Sequence, residues 1–248
     1  MDKLAICGLL LAFGSLFFGQ WLGGGSLALL FNGHAFIIVL GGTIGAVMLQ
    51  FPWAVFKGAF KHLSWVLFPP DFDLQQLAHQ LHHWSNLVRK EGFLSLEVEL
   101  EQLDDELCSQ GLTLLIDGIE VNVLQDVLEQ LMDMEQEKLE RYARIYESMG
   151  GYSPTMGILG AVLGLIQAMS FLASPEQLGN GIAVAFVATI YGVGFANLVF
   201  LPVSNRLRQI FYRYSIYQEM LIVGLTSIAV GETSLALERR LAVFVKGA

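Results

Sequence analysis

The stretch that decides the fold is SPTMGILGAVLGLIQAMSFLA (residues 153–173), continued after a short polar link by GIAVAFVATIYGVGFANLVFLPVSN (residues 181–205). Neither run contains an Asp, Glu, Lys or Arg. Each is long enough to cross a hydrocarbon core, which needs roughly 20 apolar residues. Because lipid offers no water to satisfy backbone polar groups, both runs are predicted to be transmembrane helices.

Small residues recur along one face of each of these two helices, at positions i, i+4, i+7 and i+11. The two sets are Gly157, Ala161, Gly164 and Ala168 in the first helix, and Ala185, Thr189, Gly192 and Ala196 in the second. Gly160 adds a second close-approach pair with Gly164. Such faces let membrane helices approach closely. Two interpretations stay open: ordinary packing within one subunit, or a narrow polar path or seat for partner helices. The two matched faces, one of which carries Thr189, favour the second.

Composition sets the class of protein. Of 248 residues, 54% are hydrophobic and the mean hydropathy is +0.55, which indicates an all-α integral membrane protein. The net charge of -9 and the lack of a basic, aromatic-rich patch argue against nucleic-acid binding. The chain has two cysteines, Cys7 in an apolar run and Cys108 in an acidic segment, and these suggest neither a disulfide framework nor a zinc site.

Two further spans are predicted near the N-terminus, at about Leu4 to Leu22 and Ala35 to Phe56, with Trp53 as an interface anchor. The first is not predicted to be a signal peptide, since its start is not clearly positive and no cleavage site follows. All 14 Lys and Arg lie outside the two short links between spans. The positive-inside rule therefore places both termini and the middle section in the cytoplasm.

The predicted organisation has four parts. Residues 1–56 hold spans one and two with a short periplasmic link, and residues 57–152 form a cytoplasmic helical domain. Residues 153–205 hold spans three and four, at about 154–173 and 179–202, and residues 206–248 form a cytoplasmic helical tail. The fold class is thus four transmembrane helices with a helical domain between the second and third.

The cytoplasmic domain carries apolar residues at helical spacing after Pro69-Pro70. Asp71 or Asp73 is predicted to cap this helix, and Gly92 to end it. A second helical segment follows, and a break at Gly111 precedes a long helix that is predicted to stop near Gly150.

The four predicted spans contain no Asp, Glu, Lys or Arg, although proton relays depend on such groups. If the protein moves protons, the titrating group must come from a partner chain. No catalytic constellation and no phosphate-binding loop occurs, so neither an enzyme nor a bound cofactor is predicted. His79, His82 and His83 share a helical segment, and the first and last have the i, i+4 spacing of a metal pair. No Glu or Cys completes a metal motif there, so surface or packing histidines are favoured.

Four motifs resemble the MotA/PomA family, the ion-channel-forming stator subunits of the bacterial flagellar motor. They are GGTIGA (41–46), LVRKEGFLSLE (87–97), SPTMGILGAVLGLI (153–166) and AVAFVATIYGVGFANLVFLPVSNRL (183–207). The resemblance covers nearly the whole chain and is weakest at about residues 101–144. The related ExbB/TolQ proteins share the last two spans but normally have one span before their cytoplasmic section.

The resemblance implies a bacterial inner-membrane protein that assembles as a pentamer around two copies of a MotB-like partner. That partner would bring a single transmembrane helix with an essential Asp and a peptidoglycan-binding domain. Ion passage would rotate the pentamer, and the cytoplasmic domain would push on the rotor protein FliG.

The resemblance also assigns roles to individual residues. Arg89 and Glu97 match the charged pair that acts on the rotor, whereas their spacing alone favours two solvated charges. Pro154 and Pro202 match the prolines that couple ion passage to movement of the loop. A first helical turn would equally accommodate Pro154, and Pro202 lies near a predicted helix end.

Three positions are implied to line the ion path. Thr189 matches the pore-facing threonine of the family, and Thr155 lies beside Pro154 at the inner end. A bond from either hydroxyl to a helix carbonyl is the alternative. Sodium-driven relatives carry Thr where this chain has Ala161, so proton coupling is predicted.

Three other functions stay open from sequence. An ExbB/TolQ-like energiser of outer-membrane transport is disfavoured by the extra N-terminal span. A secondary transporter would show broken helices and midplane polar clusters, and neither is clear. A non-conducting membrane scaffold would leave the two small-residue faces unused.

Overall fold

The computed structural model describes residues 3–100, 103, 105–172 and 175–247, and within these ranges every regular element is helical. The described residues divide into two compact units. The spanning unit comprises Met1–Pro69 and Glu140–Gln209, and the loop unit comprises Pro70–Leu139 and Ile210–Ala248. Ala173, the last residue of the predicted third span, lies outside the described residues.

The spanning unit begins with α1 (Lys3–Leu22), a 3₁₀ turn (Leu27–Leu30) and α2 (Gly33–Gln50), which contains a π-helical segment at Ile37–Gly41. The helix α2 ends at Gln50 rather than at Phe56, because Phe51 and Pro52 are extended. Proline disfavours helical geometry in the residue before it. Two short helices follow, α3 (Trp53–His62) and α4 (Ser64–Leu67).

Among the described residues, three helices are apolar and long enough to span a membrane: Gly33–Gln50, Val121–Ser170 and Leu178–Val230. A shorter apolar stretch, Leu10–Leu22, lies within α1. Three of the four predicted spans therefore meet the length requirement of a hydrocarbon core. The four-span count stays a prediction.

The loop unit contains α5 (Leu74–Glu91), a 3₁₀ turn (Phe93–Leu96), α6 (Glu97–Leu100) and α7 (Glu106–Ile116). Asp73 caps α5 by accepting from the backbone N–H of Gln75 at 2.8 Å. Gly92 ends it with a φ of 84°, a conformation that only glycine adopts readily. Both features agree with the sequence.

The helix α8 (Val121–Ser170) is one continuous element of 50 residues, so the predicted stop near Gly150 is wrong. The glycine is a packing contact instead, because a Cβ built on Gly150 would lie 2.6 Å from Cδ2 of Leu201. The predicted break at Gly111 is also wrong. That residue is buried inside α7, where an added Cβ would lie 2.4 Å from Cδ1 of Leu225. The chain turns at Asp117-Gly118 instead.

The last helices are α9 (Pro175–Phe195), a π-helical segment (Ala196–Phe200), α10 (Leu201–Val230) and α11 (Ser234–Gly247). The first three run on without a break, so the fourth predicted span and the start of the tail form one helix. The core of the loop unit combines α5, α7, the first part of α8, the later part of α10 and α11, with Trp84 among its fully buried side chains.

Candidate functional site

The close packing of α8 against α9 defines the centre of the spanning unit. A Cβ built on Gly164 would lie 2.8 Å from the backbone nitrogen of Ala185, and one on Gly157 would lie 2.9 Å from the carbonyl oxygen of Ala188. Gly192 meets Gly157 in the same way, with its built Cβ 2.9 Å from the Gly157 Cα. The contacting atoms are backbone atoms, which cannot move aside like a flexible side chain. Glycine is therefore required for the observed approach of the two helices.

Gly160 has a different neighbour. Its built Cβ would lie 2.8 Å from the Cβ of Ala188 and 3.4 Å from Cγ2 of Ile38, which belongs to the π-helical segment of α2. The four predicted packing glycines thus lie at close contacts within this chain. These contacts are packing within this chain, and the role of the two faces in an ion path stays a prediction.

Two residues of these faces, Ala161 and Thr189, are not fully buried by the packing of α8 against α9. The contacts of Gly157 with Gly192 and of Gly164 with Ala185 set an antiparallel register that brings Ala161 and Thr189 to about the same level. Thr189 is exposed and Ala161 is partly exposed. Both therefore lie on the surface of this chain, where lipid or another chain can reach them.

The hydroxyl groups of both candidate ion-path threonines bond within their own helices. Thr189 Oγ1 donates to the carbonyl of Ala185 at 3.2 Å, and Thr155 Oγ1 donates to the carbonyl of Tyr152 at 2.7 Å. Thr155 is also exposed. Each hydroxyl oxygen keeps lone pairs free to accept a further hydrogen bond, so the helix bond and a role beside a path are compatible.

The two prolines lie inside helices and not at their ends, which corrects the sequence interpretation. Pro154 follows 33 residues of α8, so it interrupts the backbone ladder instead of beginning a helix. Pro202 lies two residues after Phe200, the last residue of the π-helical segment that begins at Ala196. A π-helical turn shifts the carbonyl pairing that a proline obstructs, and such segments frequently mark functional sites.

Charged groups meet in the spanning unit where α8 and α10 continue beyond the apolar residues. Arg208 pairs with Glu140 at 2.8 Å and with Glu147 at 2.6 Å, and Arg144 also approaches Glu140 at 3.5 Å. The hydrogen bond from Arg208 lowers the pKa of Glu147 below its ordinary value, and the two carboxylates raise the pKa of Arg208. This network links the two helices next to Pro202.

In the loop unit, Arg89 is exposed near the end of α5, but hydrogen bonds orient its guanidinium. It donates to the carbonyl of Glu232, and its Nη1 donates to Oγ of Ser234 at 3.3 Å. Both acceptors are neutral, so they orient the guanidinium without cancelling its charge.

Glu97 is exposed as the first residue of α6. The side chain of the next acidic residue, Glu99, is directed toward the core, where it accepts a hydrogen bond from Nε1 of the buried Trp84 at 3.1 Å. The bond fixes the segment that presents Glu97, and His83 also lies 3.6 Å from Glu99. Sequence analysis missed Glu99, because the pattern of acidic residues alone does not distinguish an inward from an outward carboxylate.

Cys108 of the loop unit is a buried free cysteine. Burial and the nearby Asp105 raise the pKa of the Cys108 thiol to about 12, which keeps it protonated and unreactive. Among the residues that the structure describes, no three or more His, Cys, Asp or Glu side chains are placed to hold a metal.

Two family models match this chain. The MotA/TolQ/ExbB proton channel family matches residues 99–220, and the motility protein A N-terminal family matches residues 6–92. The second match covers nearly all of the two predicted N-terminal spans.

Curated relatives and solved structures match this chain over nearly its whole length. Motility protein A of Bacillus subtilis is 33% identical over 99% of this chain and 91% of its own, and that of Helicobacter pylori is 31% identical over 99% and 95%. A chain of the structure of C. jejuni MotAB has a TM-score of 0.91 at 28% identity, covering 98% of this chain and 96% of that one. A chain of the flagellar MotAB stator complex from Bacillus subtilis has a TM-score of 0.85 at 33% identity, covering 97% and 94%. This chain belongs to the motility protein A family, within the MotA/TolQ/ExbB proton channel family.

Proposed function

We propose that this chain is a stator subunit of the bacterial flagellar motor, which assembles with a MotB-like partner and converts ion flow into torque. The observation that carries the proposal is the full-length similarity to chains of two MotAB complexes. The family is one of channels and not of enzymes, which suits a chain without a catalytic constellation.

The ion path of this proposal lies between chains. Ala161, Thr155 and Thr189 are accessible on the surface of the spanning unit, and no predicted span supplies an acid. A partner helix with a carboxylate, lying against this surface, would provide the group that binds and releases the ion. Five copies of this chain around two partner helices would enclose such a path, in a cytoplasmic membrane with both termini inside.

The rotor contact is assigned to Arg89 and Glu97. Both are exposed. The Arg89 guanidinium is oriented by the uncharged Ser234 hydroxyl, and the bond from Trp84 to Glu99 holds the segment that carries Glu97. Complementary charges on FliG would be attracted over several ångströms without a tight complex. Pro154 and Pro202 would transmit the ion cycle to this loop, since each weakens the backbone ladder of a long helix.

The coupling ion is assigned as the proton. Ala161 offers no oxygen to replace the hydration shell of a sodium ion, whereas a proton passed to a carboxylate needs none. Swimming should therefore persist when sodium is removed from the medium, and swimming that stops in sodium-free medium would overturn this assignment.

The function is tested by deleting the gene in its host and measuring rotation of tethered cells. The unaltered chain should restore rotation, and Arg89→Glu should impair torque while membrane insertion stays normal. Lys90→Glu is the matched control, because it makes the same charge change one residue away. Normal rotation of the deletion strain, in a host without a second stator gene, would contradict the proposal.

A further inference from the structure

A tight turn near the C-terminal end of the chain forms the hydrogen bonds to Arg89. Helix α10 ends at Val230, and Gly231 follows with a φ of 76°. The backbone N–H of Gly231 donates to the carbonyl of Ile228 at 3.0 Å, and that of Glu232 donates to the carbonyl of Ser227 at 3.1 Å. This left-handed cap fixes the direction of the Glu232 carbonyl, which is the group that accepts from Arg89.

A second acceptor extends the same arrangement. Ser234 Oγ accepts from Arg89 and donates to Oδ1 of Asn86, both at 3.3 Å. Asn86 lies one helical turn before Arg89 on α5. The guanidinium is therefore oriented from two sides, and each direct partner is uncharged.

Glu232 carries a carboxylate as well as the carbonyl that holds Arg89. Its Oε1 accepts from Nη2 of Arg240 at 2.7 Å. Its Oε2 is buried and has no hydrogen-bond partner among the residues that the structure describes. In the described part of the chain, no carboxylate forms an ion pair with Arg89. The carboxylate of Glu232, whose backbone carbonyl accepts from Arg89, is thus paired with a different arginine, Arg240.

We propose that Arg240 is a positioning residue for the rotor contact: it holds the Glu232 carboxylate so that this acid does not neutralise Arg89. The inference rests on the proposed role of Arg89 in torque. It assigns the α10–α11 turn and the start of the C-terminal helix a part in presenting that charge.

The physical argument concerns one carboxylate and two arginines. When Arg240 is removed, the Glu232 carboxylate loses its ion pair. Arg89, whose guanidinium already donates to the backbone carbonyl of the same residue, is a cation with which this carboxylate would then pair. An exposed ion pair of ordinary strength shifts an equilibrium about two- to fivefold. Pairing of that strength would reduce the fraction of Arg89 available to a rotor by a similar factor.

The first test compares Arg240→Gln with Arg239→Gln in tethered cells. The two variants remove the same charge from adjacent positions of α11, and Arg239 is exposed. Arg240→Gln should lower torque per stator about twofold or more, as expected for a surface ion pair, while Arg239→Gln stays near the unaltered value. Fluorescent labelling counts stators in each motor, which separates weak torque from poor assembly.

The second test distinguishes positioning from a structural role of the ion pair. Glu232→Gln should be nearly neutral, and Glu232→Gln combined with Arg240→Gln should restore torque, because no carboxylate remains to capture Arg89. If the pair matters only for folding, Glu232→Gln should be as harmful as Arg240→Gln and the combination should not recover. That result would overturn the inference.

The failure of the inference and the failure of the proposed function have different signatures. Impaired torque in Arg89→Gln with normal torque in Arg240→Gln would reject the role of Arg240 alone. Normal torque in Arg89→Gln would reject the rotor assignment and the inference with it.

Discussion

The two units are both helical, but different contacts hold them together. In the spanning unit, Gly157, Gly164 and Gly192 bring backbones together, and many large apolar side chains face outward. In the loop unit, large side chains such as Trp84 and Leu81 fill a buried core. The hydrophobic effect drives the second arrangement in water, whereas lipid removes that driving force and leaves close packing to hold the first.

The difference predicts which substitutions each unit tolerates. Adding a methyl group should be most harmful in the spanning unit, where the space is occupied by backbone atoms. Removing a large side chain should be most harmful in the loop unit, where a cavity results.

The largest effect is expected from Gly164→Val. Even a Cβ at this position would lie 2.8 Å from a backbone nitrogen of α9, so the two helices must separate. We expect loss of stable assembly, measured by size-exclusion chromatography in mild detergent. We also expect loss of rotation, measured in tethered cells. Gly194→Val is the control, because its built Cβ meets no atom of the described residues within 4 Å apart from the nearby backbone of its own helix. Equal behaviour of the two variants would contradict the packing account.

A large effect confined to the loop unit is expected from Trp84→Ala. The side chain is fully buried and donates to Glu99, so truncation should cost about 3–5 kcal/mol of unfolding free energy. Hydrogen exchange of α5 in the full-length protein should accelerate accordingly. Leu94→Ala, at an exposed position, should leave exchange unchanged. A normal exchange rate for Trp84→Ala would show that this core does not hold the unit.

A moderate effect is expected from Gly231→Ala. The φ of 76° places the residue in the left-handed region, where a side chain costs about 1–2 kcal/mol. The strain should loosen the turn that holds Arg89, which hydrogen exchange at Glu232 would report. Ala236→Gly, on the neighbouring helix α11, tests whether any small change in this region has the same result.

The smallest effect is expected from Glu147→Gln. Arg208 holds the pKa of Glu147 below its ordinary value of 4.5, so the pair stabilises the protein at neutral pH, and this contribution is lost as pH falls through the lower, folded-state pKa. The side chain is half exposed, so we expect less than about 1 kcal/mol. Thermal unfolding of the variant should match that of the unaltered protein at low pH and differ at pH 7. An equal difference at both pH values would exclude the ion pair as the cause.

The sequence predicted features that depend on local chemistry. The apolar runs, a cap at Asp71 or Asp73 and the Gly92 stop follow from hydropathy and backbone preference; the structure contains the runs and the stop, and it places the cap at Asp73. The small-residue faces were also visible, because helical periodicity places them together.

The features that sequence missed depend on contacts between distant segments. The sequence predicts helix breaks at Gly150 and Gly111, yet both lie inside helices, where the side chains of Leu201 and Leu225 pack against them. The bond of Glu99 to Trp84 and the hold on Arg89 by the α10–α11 turn join residues far apart in sequence. No local pattern indicates such pairs.

The central claim is that the acid of the ion path comes from another chain. The most direct measurement is purification of this chain from its native membrane in mild detergent, with mass-spectrometric identification of the proteins that remain bound. We expect a single-span protein that carries a membrane Asp and a peptidoglycan-binding domain, in a fixed ratio to this chain. A purified assembly that contains this chain alone and still conducts protons after reconstitution would contradict it.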